Sequence, residues 1–131
     1  MRPLKAPWLW LALGWLLVAG TCFASLLPGD RLPVPGGHDK TLHVLTYCLL
    51  MIWFAGIYRV GRYPLIAGGL VLLGLVLEFG QRLVVSRTFE GFDVLANGLG
   101  IVLGAVLAMT VLGGWCQRVE GWFFGKPSRA S

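Results

Sequence analysis

Acidic side chains are scarce in this 131-residue chain, six in all, and charged residues of both signs make up only 13%. Soluble domains carry about 25% charge, and a chain with so little could not cover its own surface in water. Cysteine is limited to Cys22, Cys48 and Cys116, odd in number and widely spaced with no CxxC. That pattern supports neither a disulfide framework nor a zinc cluster. The two histidines, His38 and His43, are five apart and fall on different helix faces, so no metal site is expected. A phosphate-binding glycine loop, a nucleophile elbow and HExxH are all missing, and nothing calls for a cofactor. Strand-period alternation is missing too, which argues against a β-barrel. There is no soluble domain, internal repeat or low-complexity segment.

What the chain does contain is long apolar sequence. Hydrophobic residues make up 56%, with six tryptophans and nineteen glycines. Both biases suit membrane helices, where Trp anchors at the interface and Gly lets backbones approach. Four apolar stretches run from Trp8 to Leu27, Thr41 to Tyr58, Leu65 to Val85 and Asp93 to Leu112. Each has the ~17–21 residues that a helix rising 1.5 Å per residue needs to cross a bilayer. A Pro- and Gly-rich connection from Pro28 to Gly37 separates the first two, and the basic turn Arg59 to Pro64 separates the next pair. The fold class expected is all-α, a polytopic four-helix transmembrane bundle forming a single domain over residues 1–131. In the tail, 113–131, Trp115, Val119, Trp122 and Phe123 share a helical face, with Arg118 and Glu120 off it. This reads as a short interfacial helix or as a frayed tail with aromatic anchors, and neither supplies chemistry.

The net charge of +5 fits anionic lipid better than nucleic acid, which would need a soluble basic surface. With both termini inside, the inner segments hold Arg2, Lys5, Arg59, Arg62, Arg118, Lys126 and Arg129, and the outer ones Arg31, Lys40, Arg82 and Arg87. The positive-inside rule then favours cytoplasmic termini. Met1 to Ala24 also has the look of a signal peptide, but its apolar run is long for one and continues to Leu27, so a retained helix is expected.

Polar residues concentrate at one level, in the outer leaflet on that orientation. Asp39, His43 and Tyr47 form an i, i+4, i+8 ladder on the second helix, with Lys40 beside it. On the third helix Gly74, Glu78 and Gln81 share a face, with Arg82 one turn above Glu78. Asp93, Asn97, Gly100 and Gly104 stripe the fourth. An ionised group at the bilayer centre costs at least ~2.5–3.5 kcal/mol, so such groups must face one another or a wet cavity. A convergent pocket opening outward satisfies that cost, with Gly100 and Gly104 as a small-xxx-small pair for close helix packing. Each residue also has a plainer role. Asp93 and Asp39 would serve as N-caps, Glu78 and Arg82 as an i, i+4 ion pair. Asn97 and Gln81 would bond helices together, and Tyr47 would anchor one near the interface. Histidine can both donate and accept near neutral pH, which makes His43 the hardest to read as purely structural.

In these residues the chain resembles the VanZ-like family, named for a membrane protein associated with teicoplanin resistance. Asp39, Lys40, His43 and Tyr47 look like the family's D-K-x-x-H-x-x-x-Y. Glu78 and Gln81 match its E-x-x-Q, and Arg87 its loop arginine. Asp93, Asn97, Gly100 and Gly104 match D-x-x-x-N-x-x-G-x-x-x-G. The resemblance spans Asp39 to Gly104, half the chain. It implies a four-helix protein of the bacterial cytoplasmic membrane and cell envelope, in a family without a settled mechanism.

Three function classes follow. In the first, a non-transporting envelope factor binds a lipid headgroup or lipid-linked cell-wall precursor, with Lys40 and Arg87 holding anionic groups and Asp39, Glu78 and Asp93 taking amines or hydroxyls. The second is an enzyme on such a lipid, with His43 as general base oriented by Asp39 or Glu78; no motif dictates it. The third is a small proton-coupled exporter built as a homo-oligomer. Transporter sites usually lie near the midplane, whereas these residues lie in one leaflet. The partners expected are membrane lipids and, under the third class, a second copy of the chain.

Overall fold

The structure is a computed structural model that describes residues 1–27, 39–83 and 91–125. Five α-helices follow in order: α1 (Pro7–Leu26), α2 (Asp39–Ile57), α3 (Tyr63–Gln81), α4 (Gly91–Thr110) and α5 (Trp115–Phe124), with a 3-10 turn Val60–Arg62 before α3. Among the described residues there is no strand. The first four helices are long and apolar enough to cross a bilayer, and the fold is an all-α membrane bundle. Pro7 and Pro64 sit in the first turns of α1 and α3, where a missing N–H costs no helical bond.

The chain runs up α1, down α2, up α3 and down α4. The start of α1 and all of α5 therefore share one end of the bundle, here the tail end. The starts of α2 and α4 and the close of α3 share the other, the pocket end. The third helix stops at Gln81, short of the Val85 expected from hydropathy. There the ladder tightens, with Arg82 N donating to Phe79 O (3.2 Å) and Leu83 N to Gly80 O (3.0 Å), the 3-10 closure common at helix ends. Residues 84 and 85 lie outside the described residues. At the start of α4 the helix begins at Gly91, so Asp93 stands inside its first turn rather than at the cap.

α2 lies at the centre. Its Tyr47, Leu50, Met51 and Ala55 pack with Leu70 of α3 and Ile101 and Ala108 of α4 to form the core. The outer faces are apolar: Trp15, Leu16 and Phe23 of α1, Leu72 and Val76 of α3, and Leu95, Leu99 and Val102 of α4 are all exposed. An apolar surface on this scale is one that lipid covers, and the chain is a multi-pass membrane protein.

At the tail end the short helix forms as α5. Trp122 and Phe123 are 83% and 80% exposed, as a face turned to lipid would be, whereas Glu120, off that face, is 4% exposed. Its carboxylate accepts three hydrogen bonds from the beginning of α1: Lys5 N to Oε2 (2.6 Å), Ala6 N to Oε1 (2.9 Å) and Trp10 Nε1 to Oε1 (2.8 Å). α1 has no side-chain cap of its own, so Glu120 supplies an acceptor and a negative charge at the positive pole of that helix.

Reciprocal contacts complete the clamp. Lys5 Nζ donates to Phe124 O (3.0 Å) and Gly125 O (3.1 Å), closing α5. Arg2 donates to Ile57 O from its backbone N (2.8 Å) and to Tyr58 O from Nε (3.0 Å), closing α2. Trp10, Trp53 and Trp115 pack with centroids 5.0–5.9 Å apart, Trp115 edge-on to both of the others. Trp115 Nε1 donates to Ile52 O (3.0 Å), which Gly56 permits, since a Cβ there would overlap the indole. The sharp α4–α5 turn uses Gly114 at φ +71°, a left-handed conformation that favours glycine. Burial and the Glu120 charge push the Cys116 thiol up to about 12, so this cysteine stays protonated and unreactive.

Burial alone would raise the Glu120 pKa, but the amide and indole donors and the Lys5 charge hold it below its ordinary value. A depressed carboxylate contributes stability above its unfolded pKa, about 4.3, and loses it as pH falls through the folded value. Glu120→Ala is expected to cost about 1–3 kcal/mol by stranding buried donors. Glu120→Gln should flatten the loss of thermal stability below about pH 4.5. Thermal unfolding in detergent across pH checks both.

Candidate functional site

The site is set by how closely α2 and α4 approach. A Cβ at Gly100 would overlap Val44 O, and one at Gly104 would come within 2.6 Å of Cys48 O. Glycine at both places brings backbone against backbone. One turn toward the pocket end from Gly100, Asn97 therefore reaches across to α2, and His43 Nδ1–H donates to Asn97 Oδ1 (3.0 Å). In the neutral ring this tautomer puts the basic lone pair on Nε2.

α3 closes in from the other side through Gly74. A Cβ there would lie 3.0 Å from Asn97 Nδ2 and 3.3 Å from the Tyr47 hydroxyl oxygen. Three helices thus converge on one point, each contributing polar side chains. Tyr47, Glu78, Gln81, Asp93 and Asn97 are all between 2% and 5% exposed, while His43 is half-buried at the edge. Burying this many polar groups in an apolar bundle is costly unless they satisfy one another or a ligand.

Lys40 and Arg82 stand farther out. Lys40 is exposed at the mouth, its Nζ 6.0 Å from the centre of the Phe92 ring. The Arg82 guanidinium lies 5.0 Å over the Phe79 ring. Asp39 begins α2, but its side chain, like the whole of Arg87, lies outside the described residues. Among the described contacts, the Asn97 amide of α4 is one partner of His43.

α1 also joins the site. Gln81 Nε2 donates to Ser25 O (2.9 Å), tying the end of α3 to α1. Between α1 and α2 lies a groove of about 450 Å³, with His43, Gln81 and Ser25 toward the pocket end and Leu16, Leu49 and Leu50 deeper. Sequence reasoning assigned the first helix no part in the site. The signal available was the run of small and hydroxyl residues Gly20, Thr21, Ala24 and Ser25 at helical spacing.

No protein-family model matches the chain, and no solved structure matches it. It is similar to an uncharacterized protein of Schizosaccharomyces pombe, 33% identical over 103 residues that cover 74% of this chain and 60% of the relative. The chain thus spans about 60% of the length of that curated relative.

Because Gly74 is where the three helices touch, Gly74→Ala is expected to destabilise the fold by roughly 1–3 kcal/mol through overpacking. Gly68→Ala, on the same helix with nothing within 4 Å of the added Cβ, should be neutral or slightly stabilising. Thermal unfolding of the two variants side by side measures the difference.

Proposed function

We propose that this protein is a non-transporting factor of the cell envelope. It binds a lipid-linked headgroup, from a membrane lipid or a cell-wall precursor, in the polar pocket formed by α2, α3 and α4. The observation that carries the proposal is the His43–Asn97 hydrogen bond, set among four other buried polar side chains at one end of an apolar bundle. Asn97 and Gln81 could bond helices together, but stability alone gives little reason to bury the carboxyls Glu78 and Asp93 beside them. Intramembrane polar clusters typically mark a binding or conduction site.

The chemistry suits a headgroup. Lys40 at the mouth and Arg87 in the connection before α4 are cations for a phosphate. Glu78, Asp93 and Asn97 offer acceptors for sugar hydroxyls or amines. The positive-inside rule favours termini in the cytoplasm, an orientation in which the pocket end faces outward. The resemblance to the VanZ-like family supports a bacterial cytoplasmic membrane and an effect on teicoplanin susceptibility. Similarity to a protein from a yeast favours a general phospholipid-type headgroup over a precursor found only in bacterial walls. A second reading, an enzyme acting on the same lipid, draws on the His43 tautomer, whose basic Nε2 would serve as a general base.

Mass spectrometry of gently purified protein tests the proposal. The wild type is expected to carry one lipid class enriched over the bulk membrane. His43→Ala and Asn97→Ala should lose it while keeping their helical content. Thr110→Val, at the tail end, should keep it. Accumulation of an unmodified lipid on the His43→Ala variant would favour the enzyme instead. A bulk lipid profile on the wild type would overturn both.

A further inference from the structure

Between its two tied ends α1 packs on the core through Leu17 and Val18. The Glu120 clamp fixes its start and the Gln81–Ser25 bond fixes its far end. Gly14 is its one buried residue, lying where a Cβ would come within 2.9 Å of Trp53. Along the side of α1 that carries Gly20 and Ala24, a groove of about 450 Å³ lies between it and α2. That volume lies in the range of ligand sites, about 300–1,000 Å³, and far exceeds what packed interiors leave empty.

Shape and polarity together indicate the occupant. On α1 the lining runs from Leu16 to Ser25, about 14 Å at 1.5 Å per residue. One leaflet contributes about 15 Å of a hydrocarbon core of about 30 Å, so the groove is one leaflet deep. Its walls are apolar at depth, with Leu16, Leu49 and Leu50, and Gly20 and Ala24 leave the width. Polar groups gather at one end, where His43 and Gln81 stand. Cations flank that end in sequence: Lys40 lies three residues before His43 on α2, and Arg82 follows Gln81. A negatively charged head joined to a long apolar chain matches this layout in both charge and length.

We propose that the α1–α2 groove is the chain subsite of the polar pocket, taking one acyl or prenyl chain of a membrane lipid whose phosphate-bearing headgroup sits at the His43 end. This rests on the headgroup reading given above and adds the chain as a required part of recognition. A headgroup without its chain is therefore not a ligand, and α1, clamped at both ends, forms the outer wall of the site.

Gly20 provides the test, because it lines the groove and has nothing within 4 Å of an added Cβ. Gly20→Trp fills the groove without touching the polar residues. The full-length protein in detergent is titrated with phosphatidylglycerol and followed by native mass spectrometry. The wild type should retain one lipid, and Gly20→Trp should weaken retention by about tenfold or more with its unfolding temperature unchanged. Gly68→Trp, on the outer face of α3, should retain lipid like the wild type. Glycerol 3-phosphate, the same headgroup chemistry without chains, should not displace the lipid. If Gly20→Trp loses stability, Ala24→Phe from the same wall decides in its place. Retention by the groove-filled variant together with loss in His43→Ala would overturn the chain subsite and leave the headgroup reading standing. Displacement by equimolar glycerol 3-phosphate would also overturn the subsite. A wild type that retains no lipid would overturn both.

Discussion

The contact between the backbones of α2 and α4 at Gly100 and Gly104 is the constraint on which the remaining structure depends. Two helices carrying ordinary side chains pack with axes 8–10 Å apart. Here a Cβ at either glycine would run into the main chain of α2, so the pair sits as close as backbone atoms allow. In a bilayer no hydrophobic force drives helices together, and van der Waals contact and hydrogen bonds must do so. That closeness brings an amide on α4 within hydrogen-bond reach of a histidine on α2, and Gly74 lets α3 close the same point from the third side. The polar cluster is thus a consequence of glycine placement as much as of the polar residues themselves.

The two ends of the bundle are built differently. At the tail end three helix termini meet a partner: Glu120 faces the start of α1, Lys5 the close of α5 and Arg2 the close of α2. These bonds join residues more than fifty positions apart in the chain and lock the first and last helices to one another. At the pocket end His43, Asn97 and Gln81 make polar contacts between helices, and a groove lies between α1 and α2. That groove gives the pocket end ligand-sized space.

Much of this was legible in the sequence. Four apolar runs of bilayer length left little choice about the helices, because length and hydropathy are properties of each segment alone. The common level of His43, Glu78, Asp93 and Asn97 followed from alternating helix direction, yet which of them would pair did not, since a pairing across 54 positions depends on helix rotation and spacing. Glu120 was missed for a related reason. An amphipathic reading of the tail counts apolar residues, whereas the buried face of α5 is decided by unsatisfied amides at the start of α1. The groove went unread because the first helix looked uniformly apolar, and its small residues gain meaning only once α2 lies beside them.

The central claim, that the pocket end holds a specific lipid, is tested most directly by photo-crosslinking in native membranes. A photo-reactive residue at Thr46, which lines the groove, would be compared with one at Val102, which faces outward on α4. The expected result is a single class of phosphate-bearing lipid captured at position 46 and the bulk lipid mixture at position 102. The same bulk mixture at both positions would contradict the claim.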